Sequence, residues 1–171
     1  TCSAGGYTVT PALQVGFTND YEPVPPCFTA GTKVRMADGS IRDIETVREG
    51  ELIQTSAGAG TIEKVVRTMF TGYLYAFNGS ENYFVTPAHP FMTTKGWKSF
   101  DPAATRKEVP GIKVSLFGIG DMLLREDGTA VELRSFEKKF TEETPVYSFR
   151  IKGTHDYYAD GYWVHNAKII P

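Results

Sequence analysis

Cysteine and histidine are scarce in this 171-residue chain: two cysteines, Cys2 and Cys27, and three histidines, His89, His155 and His165. Two thiols make no disulfide framework, and histidines so far apart offer no zinc-ligand spacing, so neither a metal nor a cofactor is expected. An excess of one charge is also missing. The 18 Lys and Arg face 20 Asp and Glu, a formal net charge of −2. The densest basic pair, Lys138-Lys139, sits among Glu137, Glu142 and Glu143, which reads as a solvated face and argues against nucleic acid as a partner. No apolar run approaches the ~20 residues of a membrane-spanning helix, so no membrane contact is expected. Hydrophobic residues at 41% and aromatics at 13% are ordinary for a folded chain. The length suits one domain, expected to be monomeric. Starting at Thr1 without a leader, the chain is expected to be a piece of a longer protein, cytoplasmic or part of a larger, secreted bacterial host.

The first 26 residues differ from the rest. They hold Gly5-Gly6 and then Tyr21-Glu22-Pro23-Val24-Pro25-Pro26, where three prolines in four positions give a stiff lead-in with few backbone donors. From Cys27 onward the pattern is mostly β, short strands with turn punctuation. Thr32–Met36 and Ser40–Ile44 flank Ala37-Asp38-Gly39, a hairpin signal. Glu51–Ser56 and Thr61–Tyr75 flank Ala57-Gly58-Ala59-Gly60, expected as a turn. Met122–Arg125 and Thr129–Arg134 form another hairpin around Glu126-Asp127-Gly128, and Pro145–Lys152 and Asp156–His165 close the chain. One or two short helices are expected at most, for instance near Asp43–Arg48.

The chain nears its end with Tyr162-Trp163-Val164-His165-Asn166-Ala167. An asparagine amide can attack its own backbone carbonyl, closing a succinimide and cutting the chain behind itself. Held geometry supplies much of the acceleration in such an intramolecular step, and a neighbouring imidazole can polarise the carbonyl or protonate the departing nitrogen. Taken alone, His165-Asn166 is a polar pair at a strand end, and Cys27 a small buried hydrophobe.

Three ordered blocks change that reading. CFTAGTKVRMADGSIRDIETVREGE from Cys27, Val85-Thr86-Pro87-Ala88-His89-Pro90-Phe91, and VYSFRIKGTHDYYADGYWVHN over residues 146–166 together resemble the Hint superfamily of inteins, bacterial intein-like domains and hedgehog autoprocessing domains. The match leaves out only roughly 94–140 of the stretch from Cys27 to Asn166. The resemblance implies a mostly β horseshoe of long, bent strands with pseudo-twofold symmetry. It implies residues 1–26 as an upstream flank, 27–166 as the autoprocessing domain and 167–171 as a downstream flank, with no room for an inserted endonuclease.

It also implies roles. Cys27 is the nucleophile of an N-to-S acyl shift onto the Pro26 carbonyl, a role that needs the thiol reduced and therefore no Cys2–Cys27 disulfide. His89 contacts and protonates the Cys27 nitrogen, while Thr86 holds the tetrahedral oxygen or orients His89. His165 and Asn166 run the downstream cleavage, assisted by His155 ten residues before His165. If the chain ends lie on paired central strands, Cys27 and Asn166 share a pocket.

Two positions depart from the family. Many inteins carry an aspartate seven residues before the block histidine, where this chain has Ser148. Standard splicing needs Ser, Thr or Cys after the asparagine, and here Ala167 follows. The expectation is self-cleavage at Pro26–Cys27 and Asn166–Ala167, with water or an external thiol as acyl acceptor and ligation a minor outcome. The alternative is an inactive or very slow module serving as a structural spacer.

Overall fold

The computed structural model of the protein describes residues 26–166. The downstream flank 167–171, and all of the upstream flank except Pro26, lie outside the described residues, as does Cys2.

Thirteen strands and one short helix make up the described part: β1 (Phe28–Thr29), β2 (Lys33–Arg35), β3 (Ile41–Asp43), β4 (Leu52–Thr55), β5 (Gly58–Phe77), β6 (Phe91–Thr93), β7 (Gly96–Ser99), α1 (Pro102–Glu108), β8 (Val114–Leu116), β9 (Met122–Leu124), β10 (Ala130–Glu132), β11 (Phe136–Ile151), β12 (Asp156–Ala159) and β13 (Tyr162–His165). They form a four-stranded sheet, β1-β11-β5-β4, and a nine-stranded sheet running β10-β9-β6-β13-β12-β2-β3 with β7 and β8 attached at β6. The hairpins around Asp38-Gly39 and Asp127-Gly128 fall where the sequence puts them. The helical turn near Asp43–Arg48 is a single 3-10 turn, Ile44–Thr46.

The long antiparallel pair β5–β11 dominates. Its bend sits at a register shift between Thr141 and Thr144, where Glu143 takes a left-handed φ of 45° and a bulge adds local twist. Opposite lies Gly72, where any Cβ would come within 2.7 Å of the Phe70 ring.

Two expectations need correction. Ala57–Gly60 is not all turn, because Gly58, Ala59 and Gly60 already pair with Thr55, Gln54 and Ile53. Gly60 is there for closeness: a Cβ would sit 2.6 Å from Thr55 Cγ2 and 3.0 Å from Ile151 Cγ2. Secondly, β1 and β13 are not paired with each other but belong to different sheets.

The core lies between the sheets. Phe28, Phe77, Phe84, Phe91, Phe149 and Tyr157 are all buried there, and edge-to-face contacts such as Phe77–Phe91 at 5.2 Å add to their area burial. Cys27, Phe70, Leu74 and Val146 form a smaller buried cluster.

Candidate active site

The residue before β1 is held by the segment that carries Thr86. Val85 bridges both Phe28 and Tyr75, and this zipper brings Thr86 beside Cys27. The Cys27 backbone N–H donates to Thr86 Oγ1 at 2.9 Å, and Thr86 N–H donates to the Cys27 carbonyl at 3.1 Å. Both residues are fully buried. Thr86, not His89, is therefore the group on the nitrogen that an acyl shift would release. Cys27 carries no free thiol: its sulfur is engaged in a disulfide, against the reduced state that the acyl shift requires.

His89 closes a turn from Thr86 (His89 N–H to Thr86 O, 3.3 Å) and packs its ring on Phe28, with centroids 4.1 Å apart. It is fully buried, and burial pushes its pKa down to about 3, against a smaller upward pull from the Pro90 carbonyl. The imidazole is thus neutral. A carbonyl only accepts, so the 3.3 Å contact between His89 Nδ1 and Pro90 O puts the proton on Nδ1. Nε2 is then an unprotonated, buried nitrogen with no hydrogen-bond partner among the described residues. Burial keeps this nitrogen unprotonated at neutral pH.

The turn that carries His89 is braced from the middle stretch, which the sequence reading left unassigned. Thr105 on α1 donates from its buried hydroxyl to Ala88 O at 2.6 Å and lies 2.7 Å from Ser99 Oγ. Phe100 N–H and Asp101 N–H both donate to Pro87 O. Asp101 caps α1 by accepting from Ala104 N–H, with Pro102 opening the helix, a start signal present in the sequence.

The downstream residues sit on the β12–β13 hairpin. Its turn, Asp160-Gly161, has φ of 50° and 82°, the two left-handed residues of a turn that suits strand twist. Asp156 pairs with His165 across the ladder. One step further, Asn166 N–H donates to the His155 carbonyl at 2.8 Å, a bond that His155 reaches with a left-handed φ of 62°. Asp156 anchors the hairpin by accepting from Trp163 Nε1–H at 2.9 Å and Ser56 Oγ–H at 2.5 Å.

This puts both histidines on Asn166. His165 Nδ1 lies 3.1 Å from the Asn166 backbone oxygen, so Nδ1 carries the proton and polarises the carbonyl behind which the chain would break. The Asn166 amide nitrogen donates to Ile151 O at 3.3 Å and lies 3.4 Å from His155 Nδ1. Its amide oxygen is buried without a partner among the described residues. Burial holds the His165 pKa below its usual value, and His155 lowers it further; the bond to Asn166 and the charge of Asp156 oppose the shift.

The two centres meet at one atom. The Pro90 carbonyl lies 3.3 Å from His89 Nδ1 and accepts from His165 N–H at 3.2 Å. Cys27, Thr86 and His89 thus form one group, and His155, His165 and Asn166 a second. Sequence reasoning missed Thr105, the anchoring Asp156 and the Pro90 carbonyl; of these only Asp156, beside His155 in the final block, carried any signal. Among the described residues no group of three or more His, Cys, Asp or Glu could hold a metal ion, and no helix is long and apolar enough to cross a membrane.

Comparison with known proteins bears on the family and the fold. A family model described as Vint, a Hint-domain, matches residues 26–127. No curated protein matches the chain. Among solved structures, the bacterial intein-like domain from Clostridium thermocellum superposes with a TM-score of 0.64 at 21% identity, covering 82% of this chain and 98% of its own. The gp41-1 intein gives 0.61 at 18% identity with the same coverages, and a DnaB intein from Synechocystis sp. PCC 6803 gives 0.58 at 16%, again covering 82% and 98%. At these identities the likeness is one of fold. The mostly β architecture with its long bent strand pair is the intein architecture, and the chain belongs to the Hint-domain family.

Proposed function

We propose that residues 27–166 form a single-turnover autoprocessing domain that cuts the chain before Cys27 and after Asn166. The observation that carries this reading is the pair of contacts on Asn166. A proton donor sits on the scissile carbonyl oxygen and an acceptor sits on the attacking amide nitrogen, the arrangement that cyclisation needs. The amide nitrogen forms a bond to the Asn166 carbonyl carbon, His155 Nδ1 takes its proton, and the C–N bond to Ala167 breaks as the Ala167 nitrogen takes up a proton in exchange, so none is gained or lost overall.

Upstream, once Cys27 is reduced, its thiol attacks the Pro26 carbonyl carbon. The unprotonated Nε2 of His89 is the base for the thiol proton. The tetrahedral intermediate then collapses by breaking the bond to the Cys27 nitrogen, which takes a proton and leaves a thioester. A buried imidazolium with a pKa near 3 gives up that proton readily. Thr86 Oγ1 holds the nitrogen in place until it departs.

The substrate is the chain itself, on its Pro26 and Ala167 sides, and water or an external thiol accepts the acyl group. Ala167 offers no side-chain nucleophile, so ligation is minor. Neither a cofactor, nucleic acid, a membrane nor a second copy has a part in these steps. Intact mass measurement at near-neutral pH tests the reading. Fragments ending at Asn166 are expected, and thiol should add fragments beginning at Cys27. Cys27→Ala should abolish only the upstream break and Asn166→Ala only the downstream one. A wild-type mass unchanged after days under thiol would favour the spacer.

A further inference from the structure

The outer face of the nine-stranded sheet carries an aromatic row beside the downstream residues. Tyr158 of β12 pairs with Trp163 of β13, and Met92 of β6 pairs with Trp97 of β7. Val164 pairs with Phe91, so one step along the same register sets Trp163 opposite Met92. Directly opposed residues point the same way, so these side chains share one face across β12, β13, β6 and β7. They are half-buried, whereas Tyr157, Val164 and Phe91 on the other face are buried in the core. His165, two residues after Trp163, stands on the outer face too.

Trp97 does not stop at its partner Met92. Its ring reaches across β6 to the rings on β13, lying 6.1 Å from Trp163 at 75° and 5.1 Å from His165 at 80°. Both contacts are edge-to-face, a geometry that aromatic rings prefer. Trp163 is fixed in turn, because its Nε1–H donates to Asp156 Oδ2 at 2.9 Å, and Asp156 is the residue opposite His165. The His155 ring lies 6.4 Å from His165 at 25°. The imidazole thus has one ring neighbour from β7 and another from the start of the hairpin. Held between them, it sets Nδ1 3.1 Å from the Asn166 carbonyl oxygen. Strand register alone does not fix that orientation, because a histidine ring turns broadly about χ2.

Resting on the function proposed above, we infer that Trp97 is a positioning residue for Asn166 cyclisation. It acts through His165: its ring holds the imidazole with Nδ1–H on the scissile carbonyl oxygen. An imidazole turned over about χ2 puts Cδ2 where Nδ1 stands, and a carbon does not polarise that oxygen. Misplacement by about 1 Å in such a site can cost on the order of a hundredfold in rate. Trp97 lies in the middle stretch, outside the three sequence blocks, so no motif marks it.

The test compares wild type, Trp97→Leu, which stays apolar but loses the ring, and Trp97→Phe, which keeps one. Fragment masses are followed over time in the reduced chains. Trp97→Leu should slow cleavage after Asn166 roughly tenfold or more and change cleavage before Cys27 by less than about twofold. Trp97→Phe should return the downstream rate to within about threefold of wild type. A second measurement needs no cleavage: nitrogen NMR of the histidine rings in a Cys27→Ala, Asn166→Ala chain, which keeps the carbonyl of residue 166. With Trp97 present, His165 should show a protonated Nδ1 and an unprotonated Nε2 at neutral pH. Trp97→Leu should draw the two signals together as the tautomers mix. A purely structural role would lower the melting temperature and slow both cleavages alike, leaving the nitrogen signals in place. That result, an unchanged downstream rate in Trp97→Leu, or a Trp97→Phe chain as slow as Trp97→Leu overturns the positioning role alone. A wild type that never cleaves after Asn166 overturns the proposed function, while the nitrogen signals still decide whether Trp97 orients His165.

Discussion

A fully buried histidine makes a measurable demand on pH. The unfolded chain binds a proton at His89 near pH 6.5, whereas the folded chain binds it only near pH 3. Between those values the unfolded state holds more protons, so stability rises with pH across this window. It is fully present above about 6.5 and lost as the pH falls towards 3. The shift corresponds to roughly 3–5 kcal/mol. His165, lowered in the same direction by burial, adds to the slope. Urea denaturation between pH 4 and 7, in a Cys27→Ala, Asn166→Ala background that stays whole, should show a steep dependence. His89→Gln should flatten it, whatever its effect on absolute stability. Equal slopes in the two chains would mean that His89 titrates in contact with water, and the base proposed upstream would lose its neutral, desolvated state.

At the scale of elements, short polar motifs fixed more than periodicity did. Asp38-Gly39, Asp127-Gly128 and Asp160-Gly161 mark real turns, because left-handed backbone is cheap only for a few residue types. The hairpin that holds His155, His165 and Asn166 could therefore be read almost completely. The strand Phe136–Ile151 could not be read in its first half. Glu137, Lys138 and Lys139 face solvent there, so the run lacks the buried alternation that signals a strand. Thr105 was illegible for another reason: its hydroxyl acts on Ala88 seventeen residues away, a contact no local pattern encodes. That contact is testable. Thr105→Val keeps the volume but strands Ala88 O and Ser99 Oγ in the core, costing about 1–3 kcal/mol. Because it loosens only the His89 turn, upstream cleavage should slow roughly tenfold while downstream cleavage changes less than twofold. Equal slowing of both, measured by fragment mass over time, would mean that α1 supports the whole fold rather than one centre.

For the molecule as a whole, the two proposed centres answer to different conditions because they use different chemistry. The downstream step as proposed uses only Asn166 and its two imidazoles, none of which is redox-active. The upstream step as proposed uses the Cys27 sulfur, which is disulfide-bonded in the structure and cannot attack in that form. A phosphine and a thiol separate what each step requires, since both reduce the disulfide but only the thiol exchanges readily into a thioester. Without reductant, the chain should lose only the segment after Asn166. With phosphine, upstream cleavage should begin slowly, at the rate at which water opens the thioester. With dithiothreitol it should be faster still and leave the upstream fragment as a thiol adduct until that adduct hydrolyses. Alkylation of the reduced chain at Cys27 should return the pattern to downstream cleavage alone. If upstream fragments form at the same rate in oxidised, phosphine-treated and thiol-treated protein, the bond before Cys27 is not broken through its sulfur. The buried base at His89 would then serve some other nucleophile.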